Sequence, residues 1–489
     1  MKGPDTPPDP GAVPAALAAQ LAAVGQSHVL AWWDRLDAAG RSRLLSQLAL
    51  VDWGQFNTLQ RLATASGAAA MPDAIDVARA STPPCLRLGA AANAIPPSAA
   101  RARGEKALSA GEVGAILVAG GQGTRLGCTG PKGLYRVGPV SQASLFELLF
   151  GKLLAVRRRF GRDVPLAIMT SSATDAETRQ FLRDHGWCGL SPDHVHVFRQ
   201  HDLPALDAAT GRLLLDAPDH VAMAPDGHGG MLTALAETGG LDWFARHGAQ
   251  TIVSFQVDNP LALPLDREFL GYHLLSAAEF STQVVRKREP AERVGVVVEE
   301  GGRHGVVEYS DLPPTLAAER LPDGRLRFDA GSIAIHAFAK SFLDRAAARS
   351  DALPLHLARK AVPFLDEQGT LVTPPAPNAI KFERFIFDLM PLATKVCVVE
   401  VDPAEGFAPL KNPPGAAADA PEHVQAALVA HARRLLERSG ARVAEGIDVE
   451  LDAVAILDEA DVAHAIPPGT RIEAPLVVGG SRASTFSRR

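Results

Sequence analysis

Two basic side chains stand within one glycine-rich stretch, Val118 to Gly133, "VAGGQGTRLGCTGPKG". Gly120, Gly121 and Gly123 let backbone N–H groups come close to phosphate oxygens, and Thr124 follows them. Arg125 adds a rigid fork of donors and Lys132 a mobile point charge. Far along the chain, Asp258 closes the apolar run "TIVSFQVD". A carboxylate at the C-terminal end of a strand is where an α/β enzyme holds a hard divalent cation, here expected to be Mg²⁺. Lys411 lies in the proline-flanked "APLKNPP". Only ten of the 49 basic residues are lysine, so a position that keeps lysine leans toward work that needs a compact ammonium.

Spacing separates this loop from its look-alikes. A P-loop requires GxxxxGK followed by Ser or Thr, whereas Lys132 sits between Pro131 and Gly133. The dinucleotide fingerprint GxGxxG is nearer, but Gly121, Gly123 and Gly127 are one residue too widely spaced. The following strand also ends "AIMTSS", without the acid that would hold ribose hydroxyls. A net charge of −6 argues against nucleic-acid binding, which needs a basic face. Cys85, Cys128, Cys188 and Cys397 show no CxxC spacing, which implies neither a disulfide framework nor a zinc site and suits a reducing cytoplasm. The early apolar segment "AALAAQLAAVG" follows "PDTPPDP" rather than a basic region, so it reads as an amphipathic helix after a disordered leader. No run approaches the roughly 20 apolar residues of a membrane span.

The elements that must position these residues follow from hydrophobic periodicity. Residues 1–106 read as helical, with apolar positions at three- and four-residue spacing. Residues 107–400 alternate strand and helix. Strands are predicted at 115–119, 164–170, 194–198, 251–257, 282–287, 294–299 and 305–309, and helices at 144–159, 174–186, 230–247 and 266–278. This rhythm predicts an α/β fold with a mainly parallel sheet covered by helices, and ligands at the carboxyl ends of the strands. Residues 401–489 read as a small α+β C-terminal domain that ends in a flexible "SRASTFSRR".

The loop "LVAGGQGTRLGCTGPKG" resembles the signature of the UTP:sugar-1-phosphate uridylyltransferases, specifically the UDP-N-acetylhexosamine (UDP-N-acetylglucosamine) pyrophosphorylase branch. The segments "VHVFRQHDLPAL", "VAMAPDGHGGML", "FQVDNPL", "RVGVVVEEGGRHGVVEYSD", "DGRLRFDAGSIAIHAF", "IKFERFIFDLM" and "FAPLKN" are similar to further family blocks, in the family's order. The resemblance runs from about residue 20 over nearly the whole chain. It implies a Rossmann-like nucleotidyltransferase domain that takes UTP and a sugar 1-phosphate to a UDP-sugar and pyrophosphate. The sugar phosphate would attack the α-phosphorus in line, a reaction that rests on alignment and charge neutralisation.

By the same resemblance, Gly120, Gly121, Gly123 and Thr124 shape the loop over the nucleotide, Arg125 and Lys132 grip the triphosphate, and Asp258 binds the metal. Lys411 reaches the phosphate of the incoming sugar or the α-phosphate. Gln200 and Gly227 serve the uracil, while Gly295 and Glu308 serve the sugar hydroxyls. Phe385 and Phe387 form an aromatic wall, and Lys381 and Lys287 fall within family blocks. Two residues depart from the pattern. His228 stands where the acetamido-sugar branch has asparagine, and Asp329 stands where the family has asparagine before "AG". Glucose-specific relatives carry GHG in the first block, which points partly toward a plain hexose, but a histidine can still donate to an acetyl carbonyl, so N-acetylglucosamine 1-phosphate leads and a glucose or galactose phosphate follows. A non-catalytic nucleotide-sugar binder would be expected to have lost Arg125, Lys132, Asp258 or Lys411, and all are present. Either a monomer or a homo-oligomer is compatible with the sequence.

Overall fold

The computed structural model describes residues 12–64, 75–349 and 353–480; the proline-rich leader and the "SRASTFSRR" tail lie outside them. Residue contacts divide the chain into two units. One comprises residues 1–74, 201–230 and 354–385, and the other comprises 75–200, 231–353 and 386–489.

The larger unit is built on a ten-stranded sheet. Its strands are β1 (Cys85–Arg87), β2 (Val113–Val118), β3 (Leu166–Thr170), β4 (Val195–Arg199), β5 (Thr251–Gln256), β6 (Phe280–Arg286), β7 (Val296–Glu300), β8 (Arg303–Val307), β9 (Ala330–Ala339) and β10 (Val396–Glu400). Their order is β1-β10-β6-β9-β5-β2-β3-β4, with the β7–β8 hairpin joined to β9. All pairings along this path are parallel except those of β9, which runs antiparallel to both β5 and β6. The sheet is therefore mainly parallel, as the alternating rhythm implies. β2 and β3 read as continuous apolar runs because both of their faces are buried.

Helices α1 (Pro97–Ala110), α2 (Leu145–Phe160), α3 (Asp175–Asp184), α4 (Gly230–Glu237), α5 (Gly240–Arg246) and α6 (Arg267–Leu275) accompany the strands. α2 starts at a capping box: Ser144 Oγ accepts from Glu147 N–H, and the Glu147 carboxylate accepts from Ser144 N–H. Its apolar face packs Leu145, Leu149, Leu153 and Val156 into the principal core with Leu117, Ile168 and Phe255. The single helix expected over 230–247 is instead two. Gly239 takes φ +71° and breaks the run between them.

The last part of this unit carries its own apolar cluster around Ala432, Leu436, Val449, Ile472 and Val478. Helix α7 (Pro421–Arg438) and two short parallel strand pairs form it. Arg159 on α2 pairs with Asp458 and Asp461, and Glu450 accepts from Val140 N–H, Ser141 N–H and Ser141 Oγ. These contacts fasten the segment to the start and end of α2.

In the smaller unit, helices Ala15–Ala23, Ala38–Leu48 and Trp53–Thr64 bury Leu21, Leu44, Leu48, Phe56 and Leu59 against Leu206, Val221, Ile380 and Phe382. A three-stranded antiparallel sheet pairs Ala379–Glu383 with His356–Lys360 and Leu206–Asp207. No helix among the described residues is long and apolar enough to cross a membrane.

Candidate active site

The glycine-rich stretch leaves the end of β2 and folds on itself. Gly123 N–H donates to Gly130 O (2.9 Å) and Lys132 N–H to Gly121 O (3.0 Å), so the two arms of the loop run side by side. Thr124–Leu126 forms a 3₁₀ turn, and Thr124 and Arg125 face solvent. Ser171, after β3, donates from Oγ to Gly120 O at 2.8 Å. A Cβ on Gly120 would lie 2.5 Å from Gln200 Nε2, so a side chain there would push the Gln200 amide away from the loop. Gln200 is itself buried and donates its N–H to Thr170 O at the end of β3. The expected uracil-side glutamine and phosphate loop, at the ends of β4 and β2, are thus neighbours across the end of β3.

Asp258 follows β5, the strand beside β2, two residues after its last paired position. Its backbone carbonyl accepts from Leu410 N–H (2.8 Å), which brings Lys411 next to it in space across a long sequence separation. Lys132 Nζ donates to Leu410 O at 3.3 Å and lies 3.9 Å from Asp258 Oδ2. Its side chain passes over Gly121, where a Cβ would sit 4.0 Å from Lys132 Cε. The Lys132 ammonium is held below the usual lysine range, first by burial and then by the charges of Lys411 and Arg125, with Asp258 opposing. Lys132 therefore meets the Asp258 carboxylate at the C-terminal edge of the sheet, within the fields of Lys411 and Arg125. An excess of cations in so small a volume is unfavourable in an empty pocket and favourable around a polyphosphate.

The residues of the larger unit that the resemblance assigns to the sugar form a second group. Gly295 and Glu308 face each other just beyond the β7–β8 ladder, and a Cβ on Gly295 would sit 3.1 Å from Glu308 Oε1. Asp329 lies at the start of β9, its carboxylate 3.7 Å from Arg286 Nε and 3.6 Å from Arg325 Nη1. Burial raises its pKa against the pull of these two guanidiniums. The structure ties Asp329 into a charged row with Arg286 and Glu400, so asparagine could not replace it there without loss of charge balance. Lys287 is buried; its N–H donates to Asp329 O, and desolvation lowers its pKa. Phe387 is buried in the turn Ile386–Leu392.

In the smaller unit, Gly227 takes φ +82°, and a Cβ there would meet Arg384 O at 2.5 Å. His228 packs its ring against Phe385 (centroids 5.3 Å apart), and Phe385 packs against His356 (4.6 Å). Burial, with His356 adding its own charge, pushes the His228 pKa down to about 4, so its imidazole is neutral at neutral pH. Lys381, on the strand Ala379–Glu383, is half-buried opposite Ala358.

A profile of the family described as UTP–glucose-1-phosphate uridylyltransferase matches residues 90–416. The chain belongs to this family. Among relatives of this uridylyltransferase-family chain, the human UDP-N-acetylhexosamine pyrophosphorylase-like protein 1 is 38% identical over 434 residues, 87% of this chain and 85% of that protein. The UDP-N-acetylglucosamine pyrophosphorylase of Saccharomyces cerevisiae is 36% identical over 358 residues, 72% and 75% of the two chains. The crystal structure of the Trypanosoma brucei uridine diphosphate N-acetylglucosamine pyrophosphorylase matches with a TM-score of 0.79 and 25% identity, covering 96% of this chain and 99% of that one.

Three residues of this uridylyltransferase-family chain escaped sequence reasoning. His356 is one; nothing in "LPLHLARK" marks it as a neighbour of Phe385. Lys152 is another. It sits mid-helix in an arginine-rich segment, yet its Nζ donates to Pro260 O and to Ala262 O (2.7 Å), within the segment that follows Asp258. The scarcity of lysine was the available signal for it. The third is Asp226, fully buried and paired with Arg384 at 3.2 Å. Arg384 N–H also donates to Asp226 O, and Gly229 N–H donates to Arg384 O, so this pair frames the turn that carries Gly227 and His228.

Burial pushes the Asp226 pKa up to about 6, against the pull of Arg384. Arg384→Met is expected to cost about 3–5 kcal/mol at pH 8, because it leaves a buried carboxylate unpaired. Asp226 has a folded-state pKa above its unfolded value, so its stabilising contribution is complete at low pH and is lost as pH rises through about 6. Removing the guanidinium moves that window upward, so the cost should shrink toward pH 5. Urea unfolding of both proteins at pH 5 and pH 8 checks this; an equal cost at both pH values contradicts it.

Proposed function

We propose that the protein is a UTP:sugar-1-phosphate uridylyltransferase that makes UDP-N-acetylglucosamine. The observation that carries this reading is Lys132 set against Asp258, in the fields of Lys411 and Arg125, beside a glycine-rich phosphate loop. The family membership and the UDP-N-acetylglucosamine pyrophosphorylases among its relatives support the same reaction.

In the proposed reaction a phosphate oxygen of the sugar 1-phosphate bonds to the α-phosphorus of UTP. The bond from that phosphorus to the bridging α,β-oxygen breaks, and the electron pair leaves with pyrophosphate. Gly120, Gly121, Gly123 and Thr124 orient the triphosphate through the loop backbone, and Gln200 holds the base. Lys132 and Arg125 take up charge on the departing pyrophosphate, and Lys411 takes up charge at the α-phosphate. No side chain forms a covalent intermediate.

Mg²⁺ suits this donor set. Asp258 offers a single carboxylate, and Mg²⁺ is commonly held by one or two carboxylates with substrate phosphates and water completing its shell. Among the described residues no group of three or more His, Cys, Asp or Glu could hold a metal without a substrate. Bound there, Mg²⁺ would screen the phosphate charge. Asp258 would hold it, and Lys132 would keep that carboxylate aligned. A cytoplasmic setting, where UTP and sugar phosphates occur, fits the four free cysteines.

By their place in the family blocks, Gly295 and Glu308 are assigned to the sugar hydroxyls, Gly227 with Gln200 to the uracil, and Phe385 and Phe387 to the aromatic wall of the sugar site, with Lys381 in the same block as the two rings. His228 stands at the family's acetamido-contacting position, and its neutral imidazole can donate one hydrogen bond and accept another. The test is pyrophosphate release from UTP and Mg²⁺ with N-acetylglucosamine, glucose and galactose 1-phosphates in turn. N-acetylglucosamine 1-phosphate should give the highest kcat/KM; release with glucose 1-phosphate alone would reassign the enzyme as a UDP-glucose pyrophosphorylase. His228→Asn is expected to shift the N-acetylglucosamine to glucose ratio of kcat/KM about 10-fold further toward the acetylated sugar, the worth of one well-placed hydrogen bond. An unchanged ratio would remove His228 from sugar selection.

A further inference from the structure

Away from the strand-end site, a cleft of about 480 Å³ opens between α2, the segment before α6 and the turn at Leu457–Asp458. Its walls are chiefly apolar, with Leu153, Val156, Phe160, Leu265 and Leu457 among them. It also contains two acids and two cations. Asp266 caps α6, accepting from Glu268 N–H (2.9 Å) and Phe269 N–H (2.8 Å). Asp458 is bound by Arg159 and Arg267, and Arg267 is further paired with Glu105. Three of the four are thus committed to partners. The fourth, Lys152, makes no ion pair among the described residues; its ammonium donates only to the Pro260 and Ala262 carbonyls. An ammonium has three N–H donors, so one is left unused by these carbonyls at a side chain that lines the cleft. Desolvation alone pulls its pKa down to about 7, and no carboxylate opposes the shift.

We propose that this cleft binds a small apolar monocarboxylate, its carboxylate paired with Lys152 and its hydrocarbon laid along Val156, Phe160 and Leu457. A monoanion matches the one charge that Lys152 carries when protonated, a state that the bound carboxylate favours, whereas a phosphate dianion would leave a charge unmatched among apolar walls. The residues of the phosphate loop do not line this cleft. Lys152 also borders a neighbouring cleft of about 650 Å³, but there Glu450 and His431 already supply polar groups, and Glu450 is engaged by Ser141.

The test is calorimetric titration of the full-length protein with sodium octanoate and, separately, with octanamide, which has the same length without the charge. Octanoate is expected to bind with a Kd below about 1 mM, and octanamide at least about tenfold more weakly. Lys152→Met should weaken octanoate about tenfold or more and leave octanamide unchanged. Leu457→Trp, which fills the cleft at a partly exposed position, should weaken both ligands while Lys152 stays in place. The proposal is overturned if octanoate gives no binding up to about 10 mM, if both ligands bind equally, or if folded Lys152→Met binds octanoate as well as the parent does.

Discussion

Replacing Lys132 with methionine is expected to lower the turnover of uridylyl transfer by a factor of about 10²–10³, the usual loss when one preorganised donor to developing charge is removed. The ammonium sits 3.9 Å from Asp258 and within the field of Lys411 and Arg125, and its desolvation has already been met by the fold. Its attraction for phosphate oxygens is therefore stronger than that of a solvated lysine. Lys132→Arg should recover little of the loss. The side chain runs across Gly121 and donates to Leu410 O, a path suited to a slender stem and a compact head rather than a planar fork. Steady-state kinetics with UTP varied should show kcat falling more than KM rises. A pure KM effect would make Lys132 a ground-state contact only.

Asp258→Asn should be comparably severe, about 10²-fold or more in kcat/KM, and should raise the Mg²⁺ concentration needed for half-maximal rate. The substitution preserves shape but removes the charge that matches a cation. The backbone bond from Leu410 N–H to Asp258 O does not depend on the side chain, so Lys411 should keep its place and the fold its melting temperature. Thermal unfolding separates the two effects. A large drop in Tm would mean that Asp258 is chiefly structural, and an unaltered Mg²⁺ dependence would remove it as the metal ligand.

The strand-end half of the site was legible because local signals coincide there. Strong apolar runs stop at Val118 and Val257, and the residues after each stop are the ones that carry charge or glycine. β9 was not legible. Its sequence "AGSIAIHAFA" is rich in Ala and Gly and buried on both sides, so neither alternation nor β-branched enrichment marks it, yet it divides the sheet between β5 and β6. The helix break at Gly239 was hidden by an apolar pattern that continues across it. The smaller unit draws on three separated segments, and periodicity within a segment cannot report which others it meets. The contacts of His356 with Phe385 and of Asp226 with Arg384 belong to that class. Lys152 shows the same limit in reverse: a helix position in "FGKLLAVRRRF" reads as a solvated cation until the carbonyls after Asp258 are seen against it.

Uridylyl transfer at Lys132 and Asp258 is tested most directly by ³¹P NMR of the protein with UTP, N-acetylglucosamine 1-phosphate and Mg²⁺. The UTP and sugar-phosphate resonances are expected to fall together while a UDP-sugar diphosphate pair and pyrophosphate rise in equal amounts. Unchanged spectra, or UTP converted to UDP and inorganic phosphate without consumption of the sugar phosphate, would contradict it.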